Sequence, residues 1–139
     1  NCKSNLEAGL SDPLIKRGQV ICRTGQLEPG GLAFRFMVFY EELCLLVKIP
    51  ISVEDHLAAF VVNYQGNYYA YLNRCAHLPM QMDWNAGELF DDAKRYLVCA
   101  THYAVYEPDT GVSISGPCRL GSQLVALPIR VIGEDIILL

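Results

Sequence analysis

The sequence has no surplus of positive charge. Eleven Lys and Arg stand against fifteen Asp and Glu, a formal net charge of −4. Nucleic-acid binding needs a basic face against phosphates, and this balance gives it no support. Long apolar runs are also missing. The greasiest stretch, Leu32 to Val53, is interrupted by Arg35, Glu41, Glu42 and Lys48, whereas a membrane-spanning helix needs ~20 apolar residues in succession. The first fifteen residues hold Lys3, Glu7 and Asp12 and lack the apolar core of a secretory signal. The chain begins at Asn1 rather than Met, which leaves room for an upstream piece. No long segment keeps a 3.6-residue apolar period, and there is no repeat, low-complexity stretch or linker. Charged residues are scarce at 19% while apolar residues reach 52% of 139 positions. That composition excludes a disordered chain and suits one domain with a real core.

What the sequence does have is short β-rich runs separated by turns. Leu32–Phe39 is apolar and aromatic around one Arg, and Leu43–Ile51 is a second apolar run containing Pro50. Ala58–Tyr64 and Tyr68–Leu72 flank Gln65-Gly66-Asn67, which predicts a hairpin across Gly66. Tyr96–Val98 leads directly into Cys99. Pro108-Asp109-Thr110-Gly111 is a turn sequence: Pro presets φ, Asp caps and Gly accepts positive φ. Leu124–Leu127 and Ile136–Leu139, with Gly133-Glu134-Asp135 between them, predict a closing hairpin. Val53–Ala59, capped by Ser52, predicts one or two helical turns. These elements together predict an all-β domain, a small antiparallel sandwich or barrel.

Six cysteines are many for this length. Cys2, Cys22, Cys44 and Cys118 allow three disulfide pairings, among which sequence does not choose; the preferred reading is free thiols in a reducing, cytoplasmic compartment. The other two sit in paired motifs, Cys75-Ala76-His77 and Cys99-Ala100-Thr101-His102. Each joins a soft, anionic thiolate to a neutral imidazole, and the four make a Cys2His2 ligand set of net charge −2. An oxidised 2Fe–2S core would be neutral in such a set, and a neutral centre accepts an electron more readily than one held by four thiolates. A structural zinc can use the same donor types, but zinc sites more often pair Cys with Cys and His with His.

Cys75-x-His77 and, about twenty residues on, Cys99-x-x-His102 resemble the Rieske signature. The resemblance extends to Tyr71-Leu72-Asn73-Arg74 before the first motif, to Asp109-Thr110-Gly111 and Ser115-Gly116-Pro117 after the second, and to Leu127-Pro128-Ile129. It is good from about Val61 to Leu139 and looser before that. It implies a Rieske-like antiparallel β fold, a single domain over 1–139, with a small inserted cluster-binding subdomain at about 73–117. It further implies one 2Fe–2S cluster, with Cys75 and Cys99 on the inner iron and His77 and His102 on the outer iron near solvent. Tyr106 matches the family's aromatic position and is expected to donate to a ligand sulfur; Pro117 belongs to the proline loop beside the cluster.

Departures from the family pattern refine this expectation. Rieske proteins of cytochrome bc complexes join an extra Cys in each loop, where this chain has Met80 and Thr101, and place a Ser near the cluster sulfur, where it has Ala104. With fewer hydrogen bonds to sulfur, the potential should fall in the lower part of the roughly −150 to +300 mV Rieske range, as in ferredoxins and oxygenase domains. Two positions that are often Gly in the family are Pro79 and Tyr103 here, and Asp91–Arg95 reads as an inserted exposed turn. Tyr103 is bulky enough to cover part of the second loop. Leu78, Pro79, Met80, Met82 and Trp84 form an apolar cluster that either shields the site or meets a partner.

Between Cys75 and Cys118 lie six acids and two bases, so the whole formal charge falls on this segment. It would steer a basic partner, or simply form a solvated face. Only three His are present, and the third, His56, has no partner pattern and reads as a surface residue. A mononuclear iron centre of two His and a carboxylate cannot be built from one free His, so no enzyme activity is expected of the chain by itself. The expected function is one-electron transfer between a reductase and an acceptor such as an oxygenase component. The alternatives are a redox-sensing accessory subunit and a zinc-stabilised interaction module built on the same four residues.

Overall fold

A computed structural model of the chain describes residues 12–44, 55–76, 81–83, 85–101, 103–116 and 122–139. Its ten strands make three antiparallel sheets: a four-stranded sheet ordered β2-β3-β4-β8, a three-stranded sheet β1-β10-β9, and a three-stranded sheet β5-β6-β7. The strands are β1 (Val20–Arg23), β2 (Phe34–Phe39), β3 (His56–Tyr64), β4 (Asn67–Leu72), β5 (Leu97–Val98), β6 (Val105–Tyr106), β7 (Ser113–Ser115), β8 (Ala126–Leu127), β9 (Ile129–Ile132) and β10 (Asp135–Leu138). The described residues are all-β apart from a 3-10 turn at Thr24–Gln26 and a four-residue helical turn, α1 (Tyr40–Leu43). No helix among the described residues is long and apolar enough to cross a membrane.

The central sheet is buried on both faces, which explains why Phe60-Val61-Val62 is a continuous apolar run rather than an alternating one. Ala59 and Val61 of β3, Ala70 and Leu72 of β4, and Phe36 and Val38 of β2 turn to one side, where they pack with Ile21, Cys22, Ile136 and Leu138 of the β1-β10-β9 sheet. Phe60, Val62 and Tyr71 turn to the other side and pack with Cys75, Met82, Leu97, Cys99, Ala104 and Tyr106. Period-two alternation thus sends every second residue of the central sheet into the layer that holds the two motif cysteines. The hairpin across Gly66 forms as expected, with Tyr64 opposite Asn67 and Gly66 at φ 88°. The turn at 108–111 also forms, and Tyr71 Oη donates to the Pro108 carbonyl at 2.7 Å, tying β4 to it.

Three local expectations are corrected. Residues 56–59 are strand, not helix: His56 to Ala59 pair with Phe39 to Phe36 of β2, and that ladder outweighs a weak helical signal. The apolar run from Leu43 starts in a helical turn, with Cys44 N donating to the Tyr40 carbonyl, and positions 45–51 lie outside the described residues. The closing hairpin joins Asp135–Leu138 to Ile129–Ile132 rather than to 124–127. Ala126 and Leu127 instead pair with Tyr71 and Ala70, and Pro128, which has no N–H, separates the two strands. The mostly exposed β9 carries too little core burial for its sequence to announce it.

Candidate functional site

Cys75 follows the end of β4 and Cys99 the end of β5. Both are almost fully shielded, at 4% and 1% exposure, in the same apolar layer. Along β5 the alternation Leu97 buried, Val98 half-buried, Cys99 buried carries the second thiol inward. The Cys99 loop is closed by its own backbone: Cys99 N donates to the Ala104 carbonyl at 2.9 Å, and Tyr103 N donates to the Cys99 carbonyl at 2.8 Å. Tyr103 sits at φ 58°, left-handed backbone that a bulky residue seldom adopts. The loop therefore keeps the glycine-type conformation with a tyrosine in it, and the ring, 70% exposed, points to solvent rather than folding over the loop.

Tyr106, fully buried on β6, lies over the first thiol. Its hydroxyl is 3.3 Å from Cys75 Sγ and accepts the Ala76 N–H at 3.0 Å. With that amide donating to its oxygen, the phenol can act as donor toward the Cys75 sulfur. Gly116, at φ 101°, lets the chain after β7 close on the second loop; a Cβ there would stand 2.7 Å from Ala104 Cα. Ala104 is buried and brings no hydroxyl. Met82 is fully buried in the same apolar layer as both cysteines, so it belongs to the packing there and not to an exposed docking surface. The Asp91–Arg95 turn is exposed, with Asp91 Oδ1 accepting the Arg95 and Tyr96 amides. His56 is exposed at the start of β3.

His77, His102 and Pro117 lie outside the described residues, as do Leu78, Pro79, Met80, Trp84, Cys2 and Cys118. Among the described residues no group of three or more His, Cys, Asp or Glu gathers to hold a metal. The chemistry of what is described still fits an iron–sulfur group. Two buried thiols share one apolar layer, a buried phenol is aimed at one of them, and Thr101 Oγ1, shielded in the second loop, has no hydrogen-bond partner among the described residues. An orphaned donor two residues after Cys99 suits a sulfur acceptor, since buried polar groups are normally paired.

Sequence reading missed a polar network behind this layer. Asp83, whose side chain is fully buried, accepts from Asn73 Nδ2 at 2.7 Å and from Gly87 N at 2.8 Å. Asn73 Oδ1 in turn accepts the Met82 N–H at 2.8 Å, and Arg35 Nη1 lies 3.6 Å from Asp83. Two signals were available: one Arg inside the apolar β2 run, and one acid between Met82 and Trp84.

Comparison with known proteins agrees with this geometry. No curated protein matches the chain. Among solved structures it is similar to the ferredoxin of carbazole 1,9a-dioxygenase from Nocardioides aromaticivorans IC177, with TM-score 0.60 and 21% identity over 88% of this chain and 96% of that one. It is likewise similar to the Sphingomonas yanoikuyae B1 ferredoxin, with TM-score 0.58 and 15% identity over 88% and 97%. A complex of reduced oxygenase and oxidized ferredoxin in carbazole 1,9a-dioxygenase gives TM-score 0.59 and 16% identity over 87% and 100%. At these identities the likeness is one of fold. Residues 17–128, most of the chain and all of the layer around the two thiols, match the Rieske [2Fe-2S] domain. The chain belongs to the Rieske [2Fe-2S] domain family.

Proposed function

We propose that this chain carries one electron at a time between a reductase and an acceptor such as an oxygenase component, using one 2Fe–2S cluster held by Cys75, His77, Cys99 and His102. The observation that carries the reading is the pair of buried thiols in one layer, with the Tyr106 hydroxyl 3.3 Å from Cys75 Sγ. When bound, such a cluster accepts and releases a single electron near the potentials of its family. The protein's part is to hold the ligands, dry them and set the local charge. Met82, Leu89 and Leu97 exclude water around the thiols. Tyr106 donates to a ligand sulfur, which favours the more negative, reduced state. Ala104 supplies no second hydroxyl at its position, so the potential lies low in the Rieske range.

The neighbouring structures support the choice of partner, since one is a complex of an oxygenase with its ferredoxin. The site stands in one domain over 1–139 with its cluster-binding part at about 73–117. No enzyme activity belongs to the chain alone, and a reducing, cytoplasmic compartment suits exposed thiols such as Cys44.

The test is the iron, sulfide and zinc content of the purified protein, with an EPR spectrum after dithionite reduction. Two irons, two sulfides and a Rieske-type signal are expected. One zinc, or no metal and no signal, overturns the reading. Reduction of the cluster by no flavin reductase would point to a sensor rather than a carrier.

A further inference from the structure

Alternation along β2 turns Phe34, Phe36 and Val38 into the core shared with the β1-β10-β9 sheet and sends Arg35 to the opposite face, that of the thiol layer. There its guanidinium meets Asp83 at 3.6 Å, Asp12 at 3.1 Å and Gln81 Oε1 at 2.9 Å. Its buried Nε has no partner among the described residues. The Asp83 side chain is 0% exposed and Arg35 only 21%, so this is an ion pair taken largely out of water. Burial of that kind can cost more than the attraction returns unless further hydrogen bonds satisfy both groups, so stability alone does not give the pair its purpose.

The purpose is visible in what the pair holds. Asp83 binds the Asn73 side chain, two residues before Cys75. Asn73 binds the Met82 amide, and the Met82 carbonyl accepts the Ala100 N–H at 2.8 Å, one residue after Cys99. Hydrogen bonds therefore run from the first thiol's loop to the second's through Met82, with Asp83 holding the Asn73 amide that starts the run and Arg35 anchoring Asp83 to β2. We propose that Asp83 and Arg35 are positioning residues that fix the separation of the Cys75 and Cys99 loops and balance each other's charge beside the centre those loops hold. The inference rests on the cluster-carrying reading above.

Two consequences distinguish this from a merely structural ion pair. Loosening either partner lets the loops part, so the metal should leave sooner; outer-shell partners of metal ligands are worth roughly 10-fold or more in metal retention. The charges also act with opposite signs on a centre that gains an electron. Asp83→Asn removes a negative charge behind the loops, with Arg35 still paired to Asp12, and raises the potential, while Arg35→Gln leaves both carboxylates without their cation and lowers it.

The experiment compares the full chain, purified anaerobically, with Asp83→Asn, Arg35→Gln, Arg35→Lys and, as a packing control in the other core, Val61→Ala. Iron release to a chelator, midpoint potential and thermal midpoint are read for each. Expected are roughly 10-fold faster iron release from Asp83→Asn and Arg35→Gln, potentials displaced in opposite directions, and a wild-type potential in Arg35→Lys. Val61→Ala should lower the thermal midpoint and leave the potential unchanged. Shifts of one sign, or none, or iron release no faster than in Val61→Ala, overturn the inference. If Asp83→Asn does not fold, the Arg35 variants decide: a lowered potential in Gln restored by Lys supports it, and any other pattern overturns it. Wild-type protein without iron would remove the underlying reading, whereas loaded wild type with unresponsive variants removes this inference alone.

Discussion

Tyr106→Phe removes one oxygen from the centre of the site. The ring stays buried, so packing against Cys75 and Leu97 is kept, while the contact to Cys75 Sγ at 3.3 Å and the acceptor for the Ala76 N–H at 3.0 Å are both lost. A hydrogen bond to a charged acceptor contributes about 1.5–3 kcal/mol. Only the part that differs between the oxidised and reduced states moves the potential. Reduction adds one charge spread over the cluster and its ligands, so about 1 kcal/mol is a reasonable share. For a one-electron couple a tenfold change in equilibrium constant is ~59 mV, so the potential should drop by roughly 40 mV. Ala76 is exposed, so its amide can bond water once the acceptor is gone, and the loss of stability should stay within about 1 kcal/mol. Protein-film voltammetry gives the first quantity and urea unfolding the second. An unchanged or raised potential, with full iron content, would refute the assignment of the Tyr106 proton to sulfur.

His102→Cys should keep a cluster at least in part and lower its potential by hundreds of millivolts, given the span of about −400 mV for plant-type ferredoxins to roughly −150 mV and above for Rieske centres; an unchanged potential in a redox titration would exclude His102 as a ligand. Burial raises the Cys22 thiol to about 11. Below about 9 both folded and unfolded chains keep that proton; between there and about 11 only the fold keeps it, so stability falls as pH rises, by up to ~1.4 kcal/mol per pH unit. Denaturant midpoints at pH 8 to 10.5 should show this slope in wild type and a shallower one in Cys22→Val, and equal slopes would refute it. Burial raises the Tyr71 hydroxyl too, with the nearby Asp109 and Tyr69 adding to it, so its loss of stability starts above that of Cys22. Tyr103→Val should destabilise by about 1–2 kcal/mol, because a β-branched residue resists φ 58°, while Tyr103→Gly should be tolerated. Equal midpoints for the two variants would mean the loop relaxes freely.

The family of the domain was readable in the chain because its code is local. Cys75-x-His77 and Cys99-x-x-His102 carry the residue types and spacing of the family signature, and the turns at Gln65–Asn67 and Pro108–Gly111 state φ requirements, with no reference to distant residues. The double-sided burial of Phe60–Val62 was likewise legible as an unbroken apolar run. Partnership across sheets was not. Whether 136–139 closes on 124–127 or on 129–132, and whether 56–59 coils or extends, depends on which strand lies opposite, and that is settled by burial summed over the whole layer. The same holds for the polar network. Arg35 and Asp83 are 48 positions apart and look like ordinary surface charges until β2 alternation and the loop after β4 press them together out of water. Sequence alone thus determined the family signature and the turns. Tertiary structure alone decided the strand partners, the left-handed Tyr103 and the buried ion pair, because each depends on groups that only folding brings within a few ångströms.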